Sequence, residues 1–297
     1  MKLLVVGPRG KMGRLITSIA ADREDITVVG GVAPADRNYI GKDIGEVAMI
    51  GRAIGAPVVS DIEELIDDCD VIIDFATVEQ AMITLEAAKK HKKALICGTT
   101  GFSLEQREAF EEAGKTIPVM LAANTSRLVN VMYKLIEDAT KLAGDVDVEI
   151  LDMHDGTKLD SPSGTAKEIG ELVAKTRGES LHDVDRYGRQ GRCPRKHGEI
   201  AFHSIRGGDI SSSHTTYFVG LGERLEITHH SQSFKCFAAG AVDCAVYLSK
   251  QPVGSYTVQD CYRVEDIPVQ KADIAFIKDL EDYFAKEKGF KLNTSAG

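Results

Sequence analysis

The chain has 297 residues, with 36 Lys and Arg against 45 Asp and Glu, a net charge of −9, and 43% hydrophobic and 27% charged residues. That length suggests two domains or one large α/β unit, and the globular balance excludes disordered, collagen-like and coiled-coil chains. An acidic chain with 6% aromatic residues and no Trp lacks both a phosphate-neutralising surface and a base-stacking platform, so nucleic acid is not expected as a partner.

Short apolar runs at 3–6, 26–29, 71–75, 94–97 and 118–122 predict strands. Apolar spacing at 12–21, 61–67, 80–91 and 104–113 predicts helices between them. Continuous apolar strands alternating with helices predict a parallel sheet covered on both faces. From about residue 127 the rhythm changes. A long helix at 129–142 leads to a strand at 146–154 and a helix at 164–175. The polar stretch 176–196 reads as a loop, and strand-like segments follow at 199–205, 214–220 and 224–230. An Ala-rich helix at 237–248, an amphipathic helix at 273–284 and a frayed end at 292–297 complete the chain. The fold class expected is α/β: a Rossmann-like dinucleotide-binding domain plus an α+β domain with a mixed sheet.

The six cysteines (Cys69, Cys97, Cys193, Cys236, Cys244, Cys261) are scattered, without a CxxC pair or a Cys/His cluster. They read as reduced thiols, and no metal site is predicted. The first apolar run is too short for a signal segment, and no run reaches the roughly 18 apolar residues of a membrane span. A cytoplasmic protein without membrane contact is expected.

Gly7-Pro8-Arg9-Gly10-Lys11-Met12-Gly13-Arg14 follows the first predicted strand and opens the first predicted helix. Glycines there let the backbone approach a pyrophosphate, and a helix start offers free N–H groups and a positive dipole end. The spacing is G-x-x-G-x-x-G, so a tight turn without a ligand stays open. The acid that usually ends the second strand of such a fold is missing at Ala33. Asp36 comes late, with Arg37, Arg9 and Lys11 nearby. No acid there repels a 2′-phosphate, so the expectation leans to NADPH or to dual use, NADPH or NADH.

The most informative run is 149–167. A predicted strand ends at His154, a polar turn presents Lys158, and Ser163-Gly164-Thr165 opens a helix after Pro162. Hydroxyls and free N–H groups at a helix start suit a carboxylate or phosphate. His can give or take a proton near neutral pH. A capped helix with a surface Lys and a packed His is the plain structural alternative.

This run resembles the H-H-x-x-K-x-D-x-P-S-G-T-A signature of the dihydrodipicolinate reductases. The Gly7–Arg14 loop is similar to the family's first loop. Cys97-Gly98-Thr99-Thr100-Gly101-Phe102, Ala122-Ala123-Asn124-Thr125-Ser126, Arg206-Gly207-Gly208-Asp209-Ile210 and Phe237-Ala238-Ala239-Gly240-Ala241 resemble further segments of the family. The similarity covers most of residues 2–250. It implies an NAD(P)H-dependent reductase of lysine and diaminopimelate biosynthesis acting on a small cyclic dicarboxylate, and a homotetramer. It implies a nucleotide domain of residues 1–126 and 238–297, and a substrate and assembly domain of 127–237. Carried over, Gly7, Arg9, Gly10, Lys11 and Met12 bind the cofactor. Gly98, Thr99, Thr100, Ala122, Ala123, Asn124 and Thr125 line its nicotinamide. His154 is the proton donor and Lys158 the assisting cation. Ser163, Gly164 and Thr165, with Thr100, hold the substrate.

Departures from the family pattern are Asp155 in place of the second His, Phe234 in place of an Arg, and Thr125 where an aromatic is frequent. They leave open reduction of a different small imine acid, or a non-catalytic nucleotide sensor on the same fold. Elsewhere, His229 and His230 read as a satisfied strand-end pair, or as a border of the substrate pocket. His91 reads as a solvated helix end. Arg186, Arg189, Arg192, Arg195 and Lys196 read as a solvated loop, or as an anion-steering patch. Cys97 reads as a packed small residue.

Overall fold

The structure, a computed structural model, describes residues 1–262. The predicted helix at 273–284 and the frayed end lie outside the described residues.

Seven parallel strands form the first sheet, in the order β12-β6-β5-β4-β1-β2-β3. They are β1 (Lys2–Val6), β2 (Thr27–Val32), β3 (Val58–Val59), β4 (Val71–Asp74), β5 (Ala94–Cys97), β6 (Pro118–Leu121) and β12 (Gly254–Ser255). β4 and β5 are buried along their whole length, which is why they read as continuous apolar runs. Helices α1 (Lys11–Ala21), α3 (Val78–His91) and α4 (Leu104–Ala113) cross between strands, and a short α2 (Ile44–Val47) precedes β3. Side chains start the crossovers where hydroxyls meet orphan N–H groups: Thr77 caps α3, and Ser103 with Gln106 forms a capping box on α4.

The second sheet is mixed, in the order β11-β10-β7-β9-β8. β7 (Asp147–His154) runs parallel to β9 (Ile200–Arg206) and antiparallel to β10 (Ser212–Gly220), which pairs antiparallel with β11 (Glu223–Ser231). Helices α5 (Arg127–Ala143) and α6 (Gly164–Arg177) bury Ile136, Ile169 and Val173 against Ile150, Phe202 and Phe218 of this sheet. The chain then returns. Helix α8 (Lys235–Leu248) packs against α1, β4 and β5, and β12 adds to the edge of the first sheet beside β6.

Three expectations need correction. The helix expected at 61–67 is two single 3₁₀ turns, Ile62–Glu64 and Ile66–Asp68, separated at Leu65. The loop expected at 176–196 contains α7 (Leu181–Val184) and the edge strand β8 (Asp185–Tyr187), which pairs parallel with β9. Its sequence hides this because a three-residue strand carries no period, and Tyr187 is exposed. β2 also runs on through Gly30 and Gly31, which carry no apolar side chain to mark them.

Candidate active site

The cofactor-type end is built where β1 meets α1. Gly7 N–H donates to Val32 O at 2.9 Å, which ties the turn to β2. Gly10 is the N-cap of α1 and offers no side-chain cap, so the first-turn N–H groups stay free. A Cβ at Gly13 would lie 2.1 Å from Gly7 O, so only glycine lets the helix seat against the turn. Arg9, Lys11 and Arg14 gather beside a cavity of about 910 Å³. Free N–H groups, a dipole end and three cations fit a dinucleotide's phosphates. Lys11 Nζ sits 3.4 Å from the centroid of the Phe234 ring, and the Arg9 guanidinium lies 5.9 Å from that of Tyr39. Ala33 follows β2 without an acid, while Asp36 is exposed and contacts Arg37 at 3.5 Å.

The ends of β5 and β6 form the next wall. A Cβ at Gly98 would fall 2.1 Å from the Phe75 ring, so ring and backbone close only over glycine. Cys97 is buried, and burial pushes its thiol up to about 12. It is a packing residue, as read. Thr125 Oγ1 donates to Phe237 O at 2.6 Å. Asn124 reaches across to the second sheet's helix, with Nδ2 donating to Thr165 Oγ1 at 3.1 Å, while its Oδ1 accepts from Ser126 N–H.

A cavity of about 620 Å³ joins these walls to the second unit. Lys11, Met12, Thr100, Ala123, Asn124, Thr125, His154, Lys158, Ser163, Gly164 and Thr165 all line it. Gly7, Gly10, Gly98, Thr99 and Ala122 shape its backbone surroundings without lining it, and Arg9 lines the adjoining cavity. Lys158 Nζ pairs with Asp160 Oδ1 at 2.7 Å. Ser163 is buried; its Oγ caps α6 at Ala166 N–H and lies 2.9 Å from His214 Nε2. Its hydroxyl is therefore committed inside the protein. The open groups of the motif are the N–H groups of Gly164 and Thr165.

His154 Nδ1 lies 3.0 Å from Oδ2 of the wholly buried Asp152. The T-shaped ring of His214 is 5.3 Å away, centroid to centroid. Burial drives His214 down to about 3, helped by the neighbouring His154 charge. Donor atoms of Asp152, His154 and His214 lie within 4.8 Å of one another. The Arg206 guanidinium stands 3.0 Å from Asp152 Oδ2, however, and that fixed cation makes the set an ion-pair network.

Of the departures, Asp155 bends onto its own turn, accepting from Thr157 N–H at 2.8 Å and from the Thr157 hydroxyl at 2.5 Å. Those bonds hold its carboxyl below the usual range. Phe234 supplies the ring beneath Lys11 and meets Phe237 edge-on.

Several expectations away from the cavity change. Arg189 pairs with Glu149 and Glu199, and Arg195 with Glu149 and Asp147, so these two are pinned by ion pairs at the start of β7 and before β9; Arg192 and Lys196 remain exposed. His91 is not simply solvated: its ring bridges Asp67 at 2.7 Å and Glu63 at 2.8 Å, which raise its pKa. His230 bonds Ser213 Oγ, but His229 Nδ1 is buried without a partner, and neither lines the cavity. Asp152, Ser204, Arg206 and His214 were not singled out from sequence. The available signal was the two-residue spacing of Asp152 and His154, which puts both on one face of β7.

A parallel-sheet nucleotide fold joined to a mixed-sheet unit, with the shared cavity at the strand ends, defines a dinucleotide-dependent oxidoreductase. Residues 1–125 match the family model described as dihydrodipicolinate reductase, N-terminus, and residues 128–262 match its C-terminus counterpart. The chain is 41% identical over 268 residues to the 4-hydroxy-tetrahydrodipicolinate reductase of Colwellia psychrerythraea, covering 90% of this chain and 99% of that one. It is 40% identical over 262 residues to that of Geobacter metallireducens, covering 88% and 98%. In fold it is similar to a dipicolinate-bound dihydrodipicolinate reductase from Paenisporosarcina sp. TG-14, with a TM-score of 0.70 at 24% identity over 88% of this chain and 98% of that one. The chain belongs to the dihydrodipicolinate reductase family and is an NAD(P)H-dependent oxidoreductase. No helix among the described residues is long and apolar enough to cross a membrane.

Proposed function

We propose that the chain reduces 4-hydroxy-tetrahydrodipicolinate to tetrahydrodipicolinate, a step of lysine and diaminopimelate biosynthesis, with His154 as the proton donor. One observation carries this: His154, Lys158 and the start of α6 face a single cavity that also touches the glycine loop and the ends of β5 and β6. The reduced nicotinamide, when bound, supplies a hydride. Gly7, Arg9, Gly10, Lys11 and Met12 hold the phosphates. Gly98, Thr99, Thr100, Ala122, Ala123, Asn124 and Thr125 form the wall for the ring. Lys158 and the N–H groups of Gly164 and Thr165 bind the substrate's carboxylates, with Thr165 and Thr100 hydroxyls beside them. Ser163 holds that helix start in place. The substrate's 4-hydroxyl leaves as water, the hydride adds to the conjugated imine so formed, and His154 gives its proton to the electron-rich position left by reduction.

The division into a nucleotide domain (1–126 and 238 onward) and a substrate domain (127–237) is supported by α8 and β12 joining the first sheet. Assembly as a homotetramer through the second domain, and a cytoplasmic location, belong to the same reading. The test is His154→Ala and Lys158→Ala in the purified protein. His154→Ala is expected to lower kcat by about 10²–10⁴-fold, the range for losing a general acid, with cofactor affinity near wild type. Lys158→Ala is expected to raise the substrate KM. Unchanged turnover in His154→Ala overturns the acid assignment.

A further inference from the structure

Strand register determines what surrounds His154. In the parallel pairing of β7 with β9, Asp152 stands opposite Ser204 and His154 opposite Arg206. In the antiparallel pairing with β10, Asp152 stands opposite His214. Five side chains from three strands therefore converge. Asp152 has no exposed surface; its Oδ1 accepts from Ser204 Oγ at 2.5 Å, and its Oδ2 lies 3.0 Å from Arg206 Nη1 and 3.0 Å from His154 Nδ1. His154 Nδ1 is buried within ion-pair distance of Asp152 Oδ2 but is not lined up for a hydrogen bond with it, while the side chain keeps 11% of its surface exposed and lines the cavity. The polar edge left for the cavity is Nε2.

We infer that Asp152 is a positioning residue for proton transfer, its charge beside the Nδ1 edge of His154 favouring a proton there, so that Nε2 carries the transferable proton into the cavity. This rests on His154 being the proton donor. In the step, the Nε2–H bond of the imidazolium breaks, its proton goes to the substrate, and the neutral ring keeps Nδ1–H against Asp152. Ser204 and Arg206 stop the carboxylate from rotating away. A buried carboxylate needs such partners, because an unpaired one is costly.

The charges around the pair agree with this role. Burial raises the Asp152 carboxyl, but His154, Ser204 and Arg206 outweigh it and hold it at about 2, so it is ionised at working pH. His214, packed edge-on from β10, stays neutral. The other charged groups around His154 are Arg206 on β9 and Asp155 and Lys158 on the turn after β7.

The test compares Asp152→Asn with wild type by kcat, by KM, by cofactor affinity, and by ¹⁵N NMR of the His154 ring in cofactor-free protein. Asp152→Asn is expected to lower kcat about 10–100-fold, the loss typical when an outer partner that orients a functional imidazole is removed. KM and cofactor affinity stay near wild type. In wild type, neutral His154 carries its proton on Nδ1. A wild-type ring protonated on Nε2, or an Asp152→Asn kcat equal to that of wild type, overturns the inference, and the wild-type NMR decides even if the variant fails to fold. Full turnover in His154→Ala instead overturns the proton-donor reading itself, so the two failures are distinguishable.

Discussion

Ser163→Ala removes a hydroxyl that serves two partners at once. Its Oγ accepts from Ala166 N–H at 3.2 Å, capping α6, and sits 2.9 Å from His214 Nε2. Losing an N-cap costs about 1 kcal/mol. Leaving His214 Nε2 unpaired in a residue that is 2% exposed costs about 1–3 kcal/mol more. The sum, about 2–4 kcal/mol, corresponds to a Tm loss on the order of 4–16 °C for a protein of this size class. A thermal scan of the cofactor-free protein measures it. Combining Ser163→Ala with His214→Leu is expected to cost less than the sum of the single changes, because the two side chains share one interaction. A Tm loss under about 2 °C, below what even a lost cap should cause, refutes the idea that one buried hydroxyl spans the helix start and the His214 ring. Strict additivity refutes the pairing alone.

Gly13→Ala places a Cβ 2.1 Å from Gly7 O and 2.8 Å from Pro8 Cα. Overpacking of that kind costs about 1–3 kcal/mol, and NAD(P)H affinity, followed by nicotinamide fluorescence, is expected to fall while substrate-analogue binding holds. Stability depends on pH through His214, whose native value of about 3 lies well below its ordinary 6.5. Between those values the unfolded chain binds a proton that the native state does not, so stability is fully present above about 6.5 and is lost as pH falls toward 3. Asp152 acts with the same sign, its contribution fading from about 3.8 down to about 2. Tm is thus expected to drop from neutral to mildly acidic pH, and His214→Leu is expected to flatten the slope above pH 4. An unchanged slope in that variant counts against the buried neutral ring.

The first sheet was legible because parallel strands covered on both faces must be apolar throughout, as Val71–Asp74 and Ala94–Cys97 are. Strands β3, β8 and β12 were not, because two or three residues carry no period and form only by pairing with a longer neighbour. His154, Lys158 and Ser163 could be read from a local motif. Ser204, Arg206 and His214 could not, since they reach Asp152 and His154 through the register of β9 and β10, some 50–60 residues away in sequence. Arg189 and Arg195 looked solvated for the same reason: their partner Glu149 lies 40 residues or more upstream. Asp155 was legible as a departure from the family's second His, but not that the Thr157 amide and hydroxyl draw its carboxylate onto the turn.

The most direct test of the account is NADH or NADPH oxidation by the purified chain, given freshly generated 4-hydroxy-tetrahydrodipicolinate beside a panel of other cyclic imine acids. Rapid, substrate-dependent oxidation is expected with 4-hydroxy-tetrahydrodipicolinate and much slower oxidation with the rest. Intact cofactor binding without turnover of that compound contradicts it: turnover of another imine acid would point to a paralogous reductase, and turnover of none to a nucleotide sensor.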